Sequence, residues 1–509
     1  MAVWQGGPSA GGLILANWVA RPCHSTLTNG HEPCYMWFMF LTFIGGAGTV
    51  TGSKTIVEAG VLQDSGGPPA GQAIFLVDCG MFQGPREVRS RNWDTFPVDP
   101  STIQSVILSH AHLDHCGYLP ALVRHGFAGP VHCSPNTAEL VPIILRDSAR
   151  LQAEDTAWAR KKGFSRHAAP ESLYGIEDAE RAISMLRPVE FGVGFHPAEG
   201  VTASLAHGGH ILGSSTVTIT DTTRDRTVVF SGDLGRGNHP LLSPPAPPCD
   251  ADAIVVESTY GNREHDDVEA EMDEMAAAIT RTLKRGGTVL IPAFAVDRTE
   301  VLLAALRGLQ DQQRIPVVPI HVDSPMALAG LRVYVTAIQN GDPELNSAIV
   351  AEGPDAIDLP NLHEATTPQQ SMALDQGGAR IIVSASGMGS GGRVTHHLKA
   401  LLPDRDNAVL LVGFQATGTP GRMLLEGAHE IKIHGKYVPV RAEIVEIEAF
   451  SVHADASELI DWLTSCRSKP TQVFVNHGEE AASRALANRI REEWDVAVIV
   501  PQAGERIYV

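Results

Sequence analysis

A chain of 509 residues, 43% of them hydrophobic, carries enough apolar material for two or three domains with cores of their own. Its 39 Lys and Arg stand against 58 Asp and Glu, a net charge of −19, which excludes indiscriminate adhesion to nucleic acid or acidic membranes; a polyanionic substrate has to be gripped locally. Seven cysteines, an odd number with no CxxC pair, exclude a disulfide framework and point to reduced thiols in a cytoplasmic protein.

Residues 1–35 are rich in Gly and Pro and hold no Lys or Arg before Arg21, so "GGLILANWVA" lacks the charged start of a signal peptide. Cys23, His24, His31 and Cys34 fit no zinc spacing, and a disordered extension or an overlong start is expected there, with folded sequence beginning near Met36. No apolar run reaches the roughly 20 residues that span a bilayer, so no membrane association is expected. From Met36 the runs "MWFMFLTFIGGAGTVTGSKTIVEAG", "AIFLVDCG" and "SVILSHAHLDH" alternate β-rich sequence with turns. A mostly helical stretch from Pro135 to about Arg187 follows, carrying the basic cluster "ARKKGFSRH", whose ordinary place is a solvated helix face. A second β-rich block comes in "GVTASLAHGGHILGSSTVTIT", "RTVVFSGDLG" and "DAIVVESTYG".

Four units then read strand, loop, helix: "GTVLIPAFAVDRTEVLLAALRGL", "IPVVPIHVDSPMALAGLRVYV", "ARIIVSASGMGSGGRVTHHLKAL" and "NAVLLVGFQATGTPGRMLLEG". That rhythm predicts a parallel sheet flanked by helices, a separate α/β domain. The tail, "VEIEAFSVHADASELIDWL" and "TQVFVNHGEEAASRALANRI", ends strands in histidines again and is expected to return to the first domain, which makes the α/β block an insertion.

The stretch "SHAHLDHCGYLP" gathers His110, His112, Asp114 and His115 at a strand end, a density of imidazole and carboxylate that suits a loop wrapped round a divalent cation. A pair of ions about 3.5 to 4 Å apart needs further donors, among them a carboxylate between them. The candidates are "HGGHILGS", "FSGDLG" and "VNHGEE", each with His or Asp where a strand meets a Gly-rich turn.

"HAHLDH", "GHILGS" and "SGDLG" resemble the metal motifs of the metallo-β-lactamase superfamily, and "VVESTYG", "FSVHAD" and "VNHGEE" resemble the further motifs of its β-CASP branch, whose members process RNA or DNA. The match runs from about Phe43 to the end of the sequence. It implies an α/β fold: an αββα sandwich from residues 36–257 and 451–509, with a Rossmann-like β-CASP domain inserted over 258–450. It also implies two divalent ions per chain, zinc with manganese as the alternative. His110, His112 and His210 would hold the first ion, Asp114, His115 and His477 the second, and Asp233 would bridge them. Asp78 in "LVDCG" would support the ligand loop, and His207 is read as a neighbour. A hydroxide shared by the ions would attack phosphorus, His453 would protonate the leaving oxygen, and Glu257 would orient His453; Asp114 is counted with these two among the catalytic residues. A histidine at the place of His477 resembles the RNA-acting members, so RNA is the expected substrate, cut by a ribonuclease of endo or 5′ exo action that leaves 5′-phosphate and 3′-hydroxyl ends. A homodimer is the assembly expected by analogy.

"SASGMGSGGR" holds Gly387, Gly389 and Gly392 in GxGxxG spacing, yet the next strand, "AVLLVGF", ends in no acid to take a ribose, which argues against a dinucleotide. Backbone N–H groups at a helix start favour an anion, and Ser384, Ser386 and Arg393 are candidate helpers for an RNA phosphate, while Arg298 in "AFAVDRTE" is a further substrate-facing candidate. The chain departs from the family at Asp297, where a small residue is usual, which sets a negative charge next to Arg298. Two other readings stand: a hydrolase of small esters or lactams using the same ions, and a non-catalytic scaffold subunit, against which every ligand position here is occupied.

Overall fold

The computed structural model describes residues 35–63, 70–162, 171–265, 268–413 and 415–509. The expected extension, with Cys23, His24, His31 and Cys34, lies outside these residues up to position 34, as does most of the basic cluster "ARKKGFSRH". Among the described residues no helix is long and apolar enough to cross a membrane.

Two seven-stranded sheets face one another. In the first, Tyr35–Phe43, Thr55–Gln63, Ala70–Val77, Ser105–Ile107, Val131–Cys133 and Leu186–Pro188 lie side by side in chain order, and Glu505–Tyr508 adds to the outer edge of Tyr35–Phe43. In the second, Ala497–Ile499, Gln472–Val475, Ala253–Val256, Arg226–Phe230, Ser215–Asp221, Val201–His207 and Phe195–Ala198 run from edge to edge. Alternation explains how one strand serves two layers. Phe75 and Val77 enter the core between the sheets with Leu41, Phe43, Val217, Phe230 and Phe474, whereas Leu76 joins Val106 and Leu108 against the outer helices. The helices Leu119–Arg124, Pro135–Lys162 and Ile176–Ser184 cover that outer face, and Ala456–Thr464 with Glu480–Glu493 cover the other through Ile254, Val256, Val473 and Val475. The layers are helix, sheet, sheet, helix, the αββα sandwich of an α/β protein.

The third sheet has six strands, all parallel, in the order Leu362–Glu364, Ile320–Val322, Arg380–Ser384, Thr288–Pro292, Ala408–Val412 and Glu443–Ile447. Four of them open the four strand-loop-helix units, followed by the helices Arg298–Asp311, Pro325–Asn340, Val394–Leu401 and Pro420–Leu425. One detail differs from the sequence reading: "VEI" belongs to the edge strand Glu443–Ile447 of this sheet, and His453 comes six residues later in irregular backbone, bridged to Gly235 just before Asp455 bridges to Tyr260. The run has β-branched character, and only its parallel partner Ala408–Val412 decides which sheet receives it.

A buried polar group ties this sheet to its loops. The fully buried Asp323 accepts from Arg393 Nη1 (2.6 Å) and contacts His397 Nε2 (2.6 Å), while Asp375 takes the other ring nitrogen (2.7 Å). Burial works against charge on His397, but the two carboxylates outweigh it and lift its pKa to about 9. A group whose folded pKa is raised contributes stability in full below its unfolded value near 6.5 and loses it as pH rises through the folded one. We therefore expect the melting temperature to fall between about pH 6.5 and pH 9, and His397→Gln to flatten that slope, as read by scanning calorimetry across this range.

Candidate metal centre

Both sheets deliver chemistry at one rim. In the second, Arg226–Phe230, Ala253–Val256 and Gln472–Val475 are adjacent and parallel, so the residues just past their carboxyl ends, Asp233, Glu257 and His477, arrive together. In the first, Ala70–Val77 runs parallel to Ser105–Ile107, which sets Asp78 beside the segment Ser109–His115. His112 starts the four-residue helix Leu113–Cys116, so Asp114 and His115 sit on its single turn. His210 comes from the turn after Val201–His207.

Two contacts show how tightly these turns are pressed together. A Cβ on Gly235 would lie 1.7 Å from the Gly209 carbonyl oxygen, and one on Gly80 would lie 1.5 Å from that of Asp114. Only glycine fits at either point, because the Asp233 turn rests on the His210 turn and the Asp78 turn rests on the Asp114 turn.

The result is two groups of donors meeting at one carboxylate. His110, His112, His210 and Asp233 offer ligand atoms that all lie within 4.8 Å of one another, and so do Asp114, His115 and His477. Asp233 Oδ2 lies 3.7 Å from His110 Nε2 and 3.8 Å from His210 Nε2, while Oδ1 lies 3.3 Å from His115 Nε2 and 3.2 Å from His477 Nδ1. His112 Nδ1 stands 3.1 Å from His110 Nε2 and 3.2 Å from His210 Nε2. Among the described residues, the buried Asp233 Oδ1 and His477 Nδ1 have no hydrogen-bond partner, the signature of atoms aimed at a ligand.

Electrostatics suit a cation. Burial drives His110 and His210 well below the ordinary imidazole value, and His112 down to about 4, so these rings keep their lone pairs. His115 goes the other way: against the effect of burial, Asp233 and Asp78 at its two nitrogens raise it well above the ordinary value, a proton doing there what a metal does when bound. Asp233, although buried, is held well below the usual carboxylate range by His115 and His477. Asp78 points its carboxylate inward, taking the Ser109 N–H at 2.8 Å and facing His115 Nδ1 at 2.7 Å.

Beside the cluster, His453 Nδ1 lies 3.1 Å from Glu257 Oε1, and Glu257 is fixed by N–H donors from Leu234 (2.8 Å) and Thr259 (3.2 Å). His453 is raised above its ordinary value because Glu257 outweighs burial. His207, by contrast, faces Ser243 and Glu344, outside both donor groups.

The substrate candidates separate. Arg298 is 5% exposed, and its Nε and Nη1 have no hydrogen-bond partner. Ser384 is committed to the Asp323 carbonyl (3.0 Å), and Arg393 to Asp323 and the carbonyls of Ala365 (2.7 Å) and Thr366 (3.0 Å), so these two brace the glycine loop from inside. Ser386 accepts the Ser390 N–H within the loop, and Gly387 packs on Phe294, whose ring is 6.3 Å from that of His112. Phe294 drew no notice in the sequence, where it reads as one more apolar residue after a buried strand.

Comparison with known proteins agrees with this arrangement. Residues 70–284 match the model of the metallo-beta-lactamase superfamily, 299–424 that of the Beta-Casp domain, and 437–501 that of a Zn-dependent metallo-hydrolase RNA specificity domain. A protein of Thermus thermophilus named ribonuclease TTHA0252 is 35% identical over 443 residues, covering 87% of this chain and 94% of its own. The chain belongs to the β-CASP branch of the metallo-β-lactamase superfamily. A further relative, a protein of Methanocaldococcus jannaschii named transcription termination factor FttA, is 28% identical over 495 residues, 93% of this chain and 72% of that one. A solved structure from Enterococcus faecalis, of unknown function, covers 93% of this chain and is itself covered in full, with a TM-score of 0.51 at 14% identity, a likeness of fold. Binding of divalent metal follows from the family and the donor cluster together.

Asp78 offers a direct test of the centre. Asp78→Asn keeps the side-chain shape but weakens the hold on His115 Nδ1, and supporting groups of this kind are worth about 10- to 100-fold in metal affinity. Chelator competition should find zinc bound weaker by that factor, with the far-ultraviolet circular dichroism spectrum unchanged.

Proposed function

We propose that this chain is a cytoplasmic, metal-dependent ribonuclease that hydrolyses phosphodiester bonds in RNA, leaving 5′-phosphate and 3′-hydroxyl ends. The observation that carries the reading is Asp233, whose two oxygens face two separate donor groups while His453, on its Glu257 support, stands 3.9 Å from the same carboxylate. His110, His112 and His210 would hold one divalent ion, Asp114, His115 and His477 a second, and Asp233 both; zinc is the expected metal, with manganese as the alternative. Bound there, such ions would supply a water acidic enough to attack at neutral pH and positive charge for the phosphate oxygens.

The remaining steps belong to side chains. Glu257 accepts from His453 Nδ1 and thereby leaves Nε2 to face the substrate. As the bond from phosphorus to the 3′-oxygen breaks, Nε2 passes its proton to that oxygen, completing the hydroxyl end. Arg298, with guanidinium nitrogens lacking protein partners, suits a neighbouring phosphate. Ser386 is the second substrate contact, and Ser384 and Arg393 act on the loop through Asp323. The names of the two curated relatives, a ribonuclease and a transcription termination factor, favour RNA over a small ester or lactam as substrate. In this reading the sandwich comprises residues 36–257 and 451–509, the insertion 258–450, and the assembly is a homodimer.

His453→Ala should retain two metal equivalents by elemental analysis yet cut end-labelled RNA roughly 10²- to 10⁴-fold more slowly. Products ending in 3′-phosphate, or an alanine variant of undiminished rate, would overturn the mechanism.

A further inference from the structure

The turn that carries His210 has four consecutive backbone N–H groups in a buried place, and each has an acceptor. Ser214 Oγ takes those of His210 (2.9 Å) and Ile211 (3.3 Å) from within the turn. The next two are satisfied from the inserted domain. Leu212 N–H donates to the Tyr334 hydroxyl at 2.9 Å, and Gly213 N–H donates to Glu344 Oε2 at 2.7 Å. Such groups are seldom left orphaned when buried, so the orientation of the turn depends on side chains more than a hundred positions away.

The Tyr334 hydroxyl does a second thing. Its own proton goes to Asp297 Oδ1 at 2.7 Å, and Asp297 Oδ2 faces His239 Nε2 at 3.3 Å. The tautomer of His239 follows from its other nitrogen, which receives the N–H groups of Leu241 (3.1 Å) and Leu242 (3.0 Å), so the Nε2 proton donates to Asp297. Tyr334, Asp297 and His239 are all buried, with exposures of 0%, 1% and 5%. Asp297 has a φ of 67°, a backbone region that favours glycine, and its carboxylate bonds hold it there, immediately before Arg298.

We propose that Tyr334 and Asp297 are positioning residues, a pair that sets the ligand His210 and the substrate-facing Arg298 in one fixed relation. One hydroxyl spans the two domains: on one side the turn that aims His210, on the other the turn that aims Arg298. Asp297 is thus the partner through which a mid-helix tyrosine links the His210 turn to the turn before Arg298. The inference rests on the proposed function for the role of Arg298, and on the donor geometry alone for the role of His210.

The test uses the full-length zinc-loaded protein with Tyr334→Phe, which keeps the ring and removes the hydroxyl, and Asp297→Gly, which removes the carboxylate and suits the backbone. Both should melt a few degrees below the parent, the cost of an unpaired buried polar group, while releasing one of the two zinc equivalents to a chromogenic chelator about 10-fold faster or more, the range known for supporting groups around metals. For RNA cleavage KM should rise several-fold, with a smaller change in kcat. Ile382→Val, a conservative change at a buried strand position of the inserted sheet, supplies the control for a loss of stability alone. Zinc release as slow as the parent's in both variants, or quickened only in step with lost stability as in the control, would overturn the proposal. Should neither parent nor variants cut RNA, the ribonuclease reading falls, and the zinc comparison still decides this one.

Discussion

Everything in this molecule answers to the cost of burying one carboxylate. Asp233 is 2% exposed and has five imidazoles within 4 Å, those of His110, His115, His210, His453 and His477. Desolvating so many polar groups is expensive unless charge of the opposite sign enters among them. The chain therefore gathers donors of which only some, Asp78, His115 and Asp233, compensate one another directly, and the remaining imidazoles suit a cation among them. Three parallel strands of one sheet end at Asp233, Glu257 and His477, two of the other end at Asp78 and the His110 segment, and glycines at 80 and 235 let the turns close upon each other.

The sandwich alone would leave the centre with poorer support. The segment carrying His453 follows the last strand of the inserted sheet, and Arg298 opens a helix of the same domain. Two of the four N–H groups in the His210 turn find their acceptors on that domain as well. The donor cluster and the residues proposed to meet substrate are thus built from two bodies that share buried hydrogen bonds, a more restrictive union than two domains merely facing a cleft.

Much of this was legible from residues alone. The density of histidine and aspartate between 110 and 115 announced a metal loop, and four strand-loop-helix units announced a parallel sheet, because both patterns are local. The short strands Leu362–Glu364 and Glu443–Ile447 were harder, since three or five residues carry little periodicity and find their place only through a distant partner. Arg393 and Ser384 looked like ligands for an anion because a sequence displays donors without their acceptors; Asp323, seventy positions before Arg393, had claimed both. Asp297 looked like an intrusion for the same reason. Its acceptor role requires Tyr334, which in sequence is one more apolar-looking position in an amphipathic helix.

One feature of the first sheet reaches beyond the finished protein. Its opening strand, Tyr35–Phe43, receives its outer neighbour from Glu505–Tyr508, and His115 meets His477 across 362 positions. During synthesis the early histidines leave the ribosome without their late counterparts, and the first strand waits with one edge bare. The donor group that joins them consequently closes only after the segment carrying His477 has emerged, so the metal centre forms late in folding although its first ligands are made early.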